Sequence, residues 1–192
     1  MKQLLQNIRT GKTTVTEVPV PKPSQGTALV QTHTSLVSSG TERMLVNFAK
    51  QGLLGKAKSR PDLVEGVLNK ARREGLVNTL DAALNKLDEP MPLGYSSAGV
   101  LIQTGPGLRG FRSGDRVACA GGGYAVHAEF AAVPQKLMVP IPDSVDFEEA
   151  AFTTLGAIAL QGFRLADVQV GAKVAVVGLG SVSYTHLTLP TN

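Results

Sequence analysis

Residues 1–39 alternate apolar and polar positions with a period of about two, which is typical of half-buried β-strands. The segment LLQNIRTGKTTVTEVPVP predicts two strands joined at Thr10-Gly11-Lys12, a β-hairpin that three prolines then end. A further strand region follows in TALVQTHTSLVSSG, and residues 92–142 return to short strands separated by glycine-rich turns. The pattern therefore predicts a compact antiparallel β domain over residues 1–145.

The alternation is interrupted over about residues 42–90, where apolar residues recur at helical spacing. Pro61-Asp62 is a good helix start, and Gly75 is expected to break or kink the pattern into two helices. This segment predicts a helical insertion in the β domain. Its apolar stripe favours core packing, with a lid or an oligomer face as the alternative.

The last part of the chain predicts the beginning of a second domain. Residues 146–172 form an amphipathic pattern with acidic residues in the first turn, which favours a helix. Lys173 to Val177 is then a β-branched run that predicts a buried strand, and Gly178-Leu179-Gly180 follows it as a phosphate-binding turn.

Composition and charge exclude several classes of protein. The chain has 192 residues, no tryptophan and a formal net charge of +4. Its basic residues around 50–73 are balanced by nearby acidic ones and have no interleaved aromatic residues, which favours a solvated helix face over nucleic-acid binding. No apolar run reaches about 18 residues and no signal peptide is evident, so we expect no membrane span and a cytoplasmic location. The single cysteine, Cys119, predicts a small buried hydrophobic residue rather than a disulfide or a cysteine-rich zinc site.

Four stretches together resemble the medium-chain dehydrogenase/reductase superfamily, which includes zinc-type alcohol dehydrogenases and quinone reductases. They are VSSGTE at 37–42, PLGYSSAGVL at 92–101, GDRVAC at 114–119 and GAKVAVVGLG at 171–180. The resemblance implies an α/β protein: a chaperonin-10-like antiparallel β domain with the helical insertion, followed at 146–181 by the first helix and strand of a truncated Rossmann domain. In the family, the complete Rossmann domain binds NAD or NADP. The insertion is similar to that of bacterial bi-domain oxidoreductases, in which a second dehydrogenase domain follows.

The same resemblance places hydroxyl side chains where metal-dependent relatives carry zinc ligands. The first cysteine falls on Ser39, the histidine on Tyr95, the following glutamate on Ser96 and the second cysteine on or near Thr153. Hydroxyls are poor ligands for zinc, so the sequence predicts no zinc.

Without a metal, hydrogen-bond donors must polarise the substrate carbonyl. The resemblance implies a catalytic set of Tyr95, Thr41 and Ser39, with Thr41 at the position of a proton-relay hydroxyl. The alternative is that Tyr95 and Ser96 merely fill the space left by the metal. Cofactor contacts are expected from three residues: Gly178, Gly180 and Thr153. His33 and His127 are expected to be packing and surface residues, although His127 borders the expected cleft.

The phosphate-binding turn is unfinished. The third glycine position of the motif is Ser183, and no helix pattern follows it. Residues 182–192 resemble a translated sequencing adapter, so we expect the natural reading frame to be lost near Ser181 or Val182; a genuine short terminus is the alternative.

The predicted function is the amino-terminal fragment of a zinc-independent, NAD(P)-dependent oxidoreductase acting on a carbonyl, an alcohol or an activated alkene. The fragment itself is expected to be inactive. Its expected partner is a small-molecule substrate, with a possible homo-oligomer in the full-length protein and no nucleic acid or membrane. A non-catalytic binding or scaffold module that kept the dehydrogenase fold is the alternative.

Overall fold

The computed structural model describes residues 1–52, 88–167 and 171–176, with the single positions 55, 58, 65, 169 and 180. Its β-strands are β1 (Lys2–Asn7), β2 (Thr13–Glu17), β3 (Thr27–Ser35), β4 (Pro90–Pro92), β5 (Ser96–Thr104), β6 (Arg116–Ala120), β7 (Phe130–Pro134) and β8 (Met138–Pro140). The described helices are α1 (Ser39–Lys50), a 3-10 turn (Gln135–Leu137), α2 (Phe147–Ala150) and α3 (Thr153–Leu165). The predicted antiparallel β domain and its opening hairpin are confirmed.

The strands form two antiparallel sheets. One has three strands in the order β2-β1-β4, and the other has five in the order β7-β3-β5-β6-β8. The sheets are linked where the backbone nitrogen of Leu4 donates to the carbonyl oxygen of His127 at 2.9 Å. The short segment around His127 therefore lies between the two sheets.

The centre of the larger sheet depends on a close approach between β3 and β5. A Cβ built on Gly99 would lie 2.0 Å from the carbonyl oxygen of Gln31. Only glycine fits there, and the register shifts beside it between Thr32 and Thr34.

The main core lies against one face of this sheet and is built from small and branched apolar side chains. Val30, Leu101, Val117 and Val133 are each no more than 1% exposed. A second apolar cluster joins Ala98 and Ala118 of the sheet to Ala150 and Ala151 at the end of α2. This second cluster packs α2 against the β domain.

The helix predicted over 146–172 is divided. Asp146 begins α2 with a capping box, in which its side chain accepts from the Glu149 nitrogen at 2.7 Å. The helix then stops at Ala150, and α3 starts at Thr153. Between them, the carbonyl oxygen of Ala151 accepts a hydrogen bond from the Ser96 side chain.

The structure differs from the prediction at the expected terminal strand. Residues 171–176 form no strand, and Val174 is 56% exposed. A β-branched run has no stable extended state without neighbouring strands, and none pairs with it among the described residues. Val177 and Gly178 lie outside the described residues.

The helical insertion is tested only at its edges. α1 begins at Ser39, ahead of the predicted start near residue 42, with Ser38 in the N-cap position. At the other end, Pro90–Pro92 pairs with β1 as a strand. The helices predicted between residues 61 and 87 lie outside the described residues, apart from the single position 65, as does the tail at 182–192.

Across the described part of the chain, none of the helices has both the length and the apolar character that a membrane crossing requires.

Candidate active site

Three segments of the chain meet at the buried Ser96. The Leu36 nitrogen donates to the Ser96 carbonyl oxygen at 2.9 Å, and the Ser96 hydroxyl donates to the Ala151 carbonyl oxygen at 2.6 Å. Ser96 is only 1% exposed. The segments joined in this way carry three of the predicted site residues, listed in chain order: Ser39, Tyr95 and Thr153.

Two of the four hydroxyls at the expected zinc positions, those of Ser96 and Thr153, donate to backbone carbonyls. The Ser96 hydroxyl is bound to Ala151, and the Thr153 hydroxyl donates to the Ala150 carbonyl oxygen at 2.7 Å. Within the described ranges, no group of three or more His, Cys, Asp or Glu side chains is placed to hold a metal ion. This set of donors does not fit zinc, which binds thiolate, imidazole or carboxylate.

Tyr95 is half-buried at the turn that leads into β5. Its carbonyl oxygen accepts from the Gly121 nitrogen at 2.9 Å, which ties the turn to the loop after β6. In the part of the chain that the structure describes, its phenol has no hydrogen-bond partner. The hydroxyl therefore has its donor capacity left for a substrate oxygen.

The first turn of α1 carries Ser39 and Thr41, both exposed. The Ser38 side chain does not cap this helix and instead lies 3.4 Å from the Thr41 hydroxyl. The cap comes from Glu42, whose carboxylate accepts from the Ser38 nitrogen at 3.1 Å. A carboxylate at a helix amino terminus is favoured by the helix dipole, and it satisfies a backbone donor that would otherwise lack a partner.

Glu42 is itself held by His127. The Nε2 atom of His127 lies 3.1 Å from both carboxylate oxygens, while Nδ1 lies 2.8 Å from the Ser35 hydroxyl. The side chains of His127 and Glu42 are each about 10% exposed. The prediction that His127 is a surface residue is therefore wrong, because the loop between the sheets turns the ring inward onto α1.

An apolar cleft of about 450 Å³ lies between the β6–β8 edge of the sheet and α3. Cys119, Met138 and Ile158 line it, and Thr153 and Thr154 are among its few polar residues. Cys119 is buried, as the sequence predicted, and burial raises the pKa of its thiol from 9.0 to about 12.

The predicted cofactor-binding glycines lie mostly outside the described residues, whereas His33 is described. Gly178 lies outside the described residues, and Gly180 is described only as an isolated position with open space around it. The ring of His33 stacks on Phe147 with centroids 4.4 Å apart, in keeping with its predicted packing role.

Sequence reasoning missed the role of Glu42. The residue stands at the end of the recognised VSSGTE stretch, but its partner His127 is 85 positions away. The one available signal was the spacing of Ser38 and Glu42 at a helix start, where an acidic side chain is able to bind the N-cap nitrogen.

Comparison with known proteins matches residues 71–143 to the alcohol dehydrogenase GroES-like domain. The chain is 28% identical over 177 residues to an alcohol dehydrogenase from Geobacillus stearothermophilus, covering 74% of this chain and 52% of that protein. Among solved structures, it is similar to an alcohol dehydrogenase superfamily protein from Novosphingobium aromaticivorans (TM-score 0.61, 23% identity, 88% of this chain and 43% of that one). A quinone oxidoreductase from Escherichia coli complexed with NADPH gives a TM-score of 0.59 at 14% identity, with 86% and 41% covered. The chain thus spans about half the length, or less, of these proteins.

Proposed function

We propose that this chain, which is similar to alcohol dehydrogenases and quinone oxidoreductases, is the amino-terminal part of a zinc-independent, NAD(P)-dependent oxidoreductase of the medium-chain dehydrogenase/reductase superfamily. The substrate would be a carbonyl compound, an alcohol or an activated alkene. The observation that carries this proposal is the hydroxyl set of Ser39, Tyr95, Ser96 and Thr153 at positions where zinc-dependent relatives hold the metal. The cytoplasmic location, the possible homo-oligomer and the closeness to bi-domain oxidoreductases stay predictions.

Tyr95 is the proposed electrophilic group of this site. Its phenol is half-buried and lacks a protein acceptor among the described residues, so it is able to donate to the developing oxyanion of a substrate. Thr41 and Ser39, exposed on the first turn of α1, are the proposed proton-relay hydroxyls. The bound nicotinamide would supply or accept the hydride.

A Rossmann domain places its phosphate-binding turn directly after a strand of its sheet. Residues 171–176, which precede the predicted turn in this chain, form no strand. We therefore expect the 192-residue chain alone to bind NADH and NADPH poorly. Isothermal titration tests this expectation, and micromolar binding of either cofactor would contradict it.

Activity is best tested on the protein made from the uninterrupted gene, with NADH and NADPH and a panel of aldehydes, quinones and enones. Tyr95→Phe removes one hydroxyl and is expected to lower kcat by roughly 100-fold, the usual effect of losing one oxyanion donor. Tyr124→Phe is the matched control, because Tyr124 is 44% exposed on a loop and should leave kcat within about twofold. Equal turnover by Tyr95→Phe and the parent would remove Tyr95 from the mechanism.

A non-catalytic binding module remains the second candidate. The observation that favours it is that the Ser96 and Thr153 hydroxyls are already bound to backbone carbonyls, which leaves fewer groups for chemistry. This candidate would be supported over the oxidoreductase if the protein made from the uninterrupted gene bound ligands but turned over none of the compounds on the panel.

A further inference from the structure

His127 contacts every segment that carries a proposed catalytic hydroxyl of the β domain. Its ring binds Glu42, which caps the turn holding Ser39 and Thr41. Its backbone nitrogen donates to the Leu93 carbonyl oxygen at 2.8 Å, just ahead of Tyr95.

Gly94 completes the contact with the Tyr95 turn. It has a φ of +95°, and a Cβ built on it would lie 2.8 Å from the His127 nitrogen and 3.0 Å from two carbons of the ring. The turn before Tyr95 therefore packs directly on the imidazole, with no side chain between them.

A nucleophilic role for the cluster is disfavoured by its surroundings. Ser35, His127 and Glu42 are hydrogen-bonded in the order of a Ser-His-acid triad, but such a site needs free N–H donors for an oxyanion. The nitrogen of Leu36, next to Ser35, donates to Ser96, and that of Thr32 donates to Glu129. Both backbone N–H groups are therefore already hydrogen-bonded and are not available to stabilise an oxyanion.

We propose that His127 is a positioning residue, which holds the first turn of α1 through Glu42 and the Tyr95 turn through direct packing. This role rests on the proposed function, since its purpose is to fix Tyr95, Thr41 and Ser39 relative to one another. His127 touches no reacting atom.

The hydrogen bonds require one tautomer of the neutral ring. Glu42 accepts a bond from the Ser38 nitrogen, and as a carboxylate it accepts from Nε2–H as well. Nδ1 is then unprotonated and accepts from the Ser35 hydroxyl.

The charged groups near the ring come from several elements. Glu42 faces it from α1. An open groove of about 300 Å³, which His127 also lines, is bordered by Lys2 of β1, His33 of β3 and Glu129 just before β7. The Glu129 carboxylate is bound to the Lys2 nitrogen at 2.8 Å. Among these groups, Glu42 is the acidic side chain that is hydrogen-bonded to the ring.

Two variants of His127 separate the two ring nitrogens. His127→Gln places an amide N–H near the position of Nε2 and is expected to keep the bond to Glu42. His127→Asn places its amide near Nδ1 and does not reach Glu42, although it can still meet Ser35. Both substitutions remove the ring and its packing on Gly94, so the two variants differ mainly in whether the hydrogen bond to Glu42 is kept.

The first test is amide hydrogen exchange and ¹⁵N NMR of the 192-residue chain. We expect exchange at Ser38 and in the first turn of α1 to be at least about tenfold faster in His127→Asn than in His127→Gln, since a hydrogen bond to a charged group is lost. The ring of the parent should show the Nε2–H tautomer. Equal exchange in the two variants, or an Nδ1–H tautomer, would overturn the proposal.

The second test is turnover by the uninterrupted protein. His127→Asn should lower kcat by roughly tenfold or more with little change in KM, and His127→Gln should restore most of it. Faster exchange without any difference in kcat would refute a role in catalysis. If the parent protein turns over nothing on the panel, the proposed function fails, and exchange and tautomer alone decide whether His127 orders the two turns.

Discussion

Replacing Ser96 by alanine removes the hydrogen bond that joins β5 to the junction of α2 and α3. The hydroxyl is 1% exposed and donates to the Ala151 carbonyl oxygen at 2.6 Å. The variant loses that bond and leaves a buried carbonyl without the hydroxyl donor, and each such loss costs roughly 1–3 kcal/mol. We expect the free energy of unfolding to fall by about 2 kcal/mol.

Thermal and urea denaturation, followed by circular dichroism, measure this change. For a chain of this size, a loss of about 2 kcal/mol corresponds to a melting temperature lowered by roughly 4–8 °C. Ser113→Ala is the matched control: the Ser113 hydroxyl also donates to a backbone carbonyl, that of Ile102 at 3.0 Å, but it is exposed. Water replaces the lost donor there, so the change should stay within about 0.5 kcal/mol.

The comparison of the two serine variants is decisive because the substitution is the same in both. If Ser96→Ala were as stable as Ser113→Ala, the Ser96 hydroxyl would not be committed to Ala151. The Ser96 hydroxyl would then be available to a metal or a substrate.

Three further outcomes are expected from the structure. Gly94→Ala should lose about 2–3 kcal/mol of stability, because it places a Cβ at positive φ and against His127; an unchanged urea midpoint would contradict the packing described. Leu101→Ala, at 0% exposure, should cost about 2–5 kcal/mol, whereas its 37%-exposed neighbour Ile102 should cost clearly less on the same substitution. The thiol of Cys119, with a pKa of about 12, should resist thiol reagents at pH 8 until the chain is unfolded. In the unfolded chain the pKa of this thiol is 9.0, so above that pH the unfolded state binds fewer protons than the folded state. The thiol's contribution to stability should therefore be lost as pH rises from about 9 to 12. A stability that rose over this range would contradict the burial of the Cys119 thiol.

The β domain could be predicted because its signals are local. Gly11, at a φ of +73°, forms the hairpin turn that Thr10-Gly11-Lys12 indicated, and the alternation on either side sets the two strands. The strand predicted from Lys173 is not formed at residues 171–176, because a strand also depends on non-local partners. β-Branched residues favour a strand only where partners supply the ladder, and propensity alone does not reveal whether they are present.

The candidate site was harder to predict, because its residues meet through the fold. The resemblance proposed Ser39, Tyr95 and Thr153 as site residues, which stays a prediction. No pattern in the sequence indicated that Ser96 would bind Ala151 or that His127 would bind Glu42. Such pairs depend on sheet order, which places distant loops side by side. The division of the helix after Ala150 has the same origin, since it coincides with the bond from Ser96.

The strand order of the larger sheet has a consequence for how the chain folds. Its central pair, β3 and β5, joins Ser35 to Ser97 across a long connection that contains α1 and β4. Closing such a connection carries an entropic cost that grows only by about 0.6 kcal/mol for each doubling of its length, so insertions are tolerated there with little thermodynamic penalty. The same non-local pairing slows folding, so we expect refolding on the millisecond-to-second scale of β-rich domains. The β1–β2 hairpin is local and is able to form early, whereas formation of the β3–β5 ladder should limit the rate.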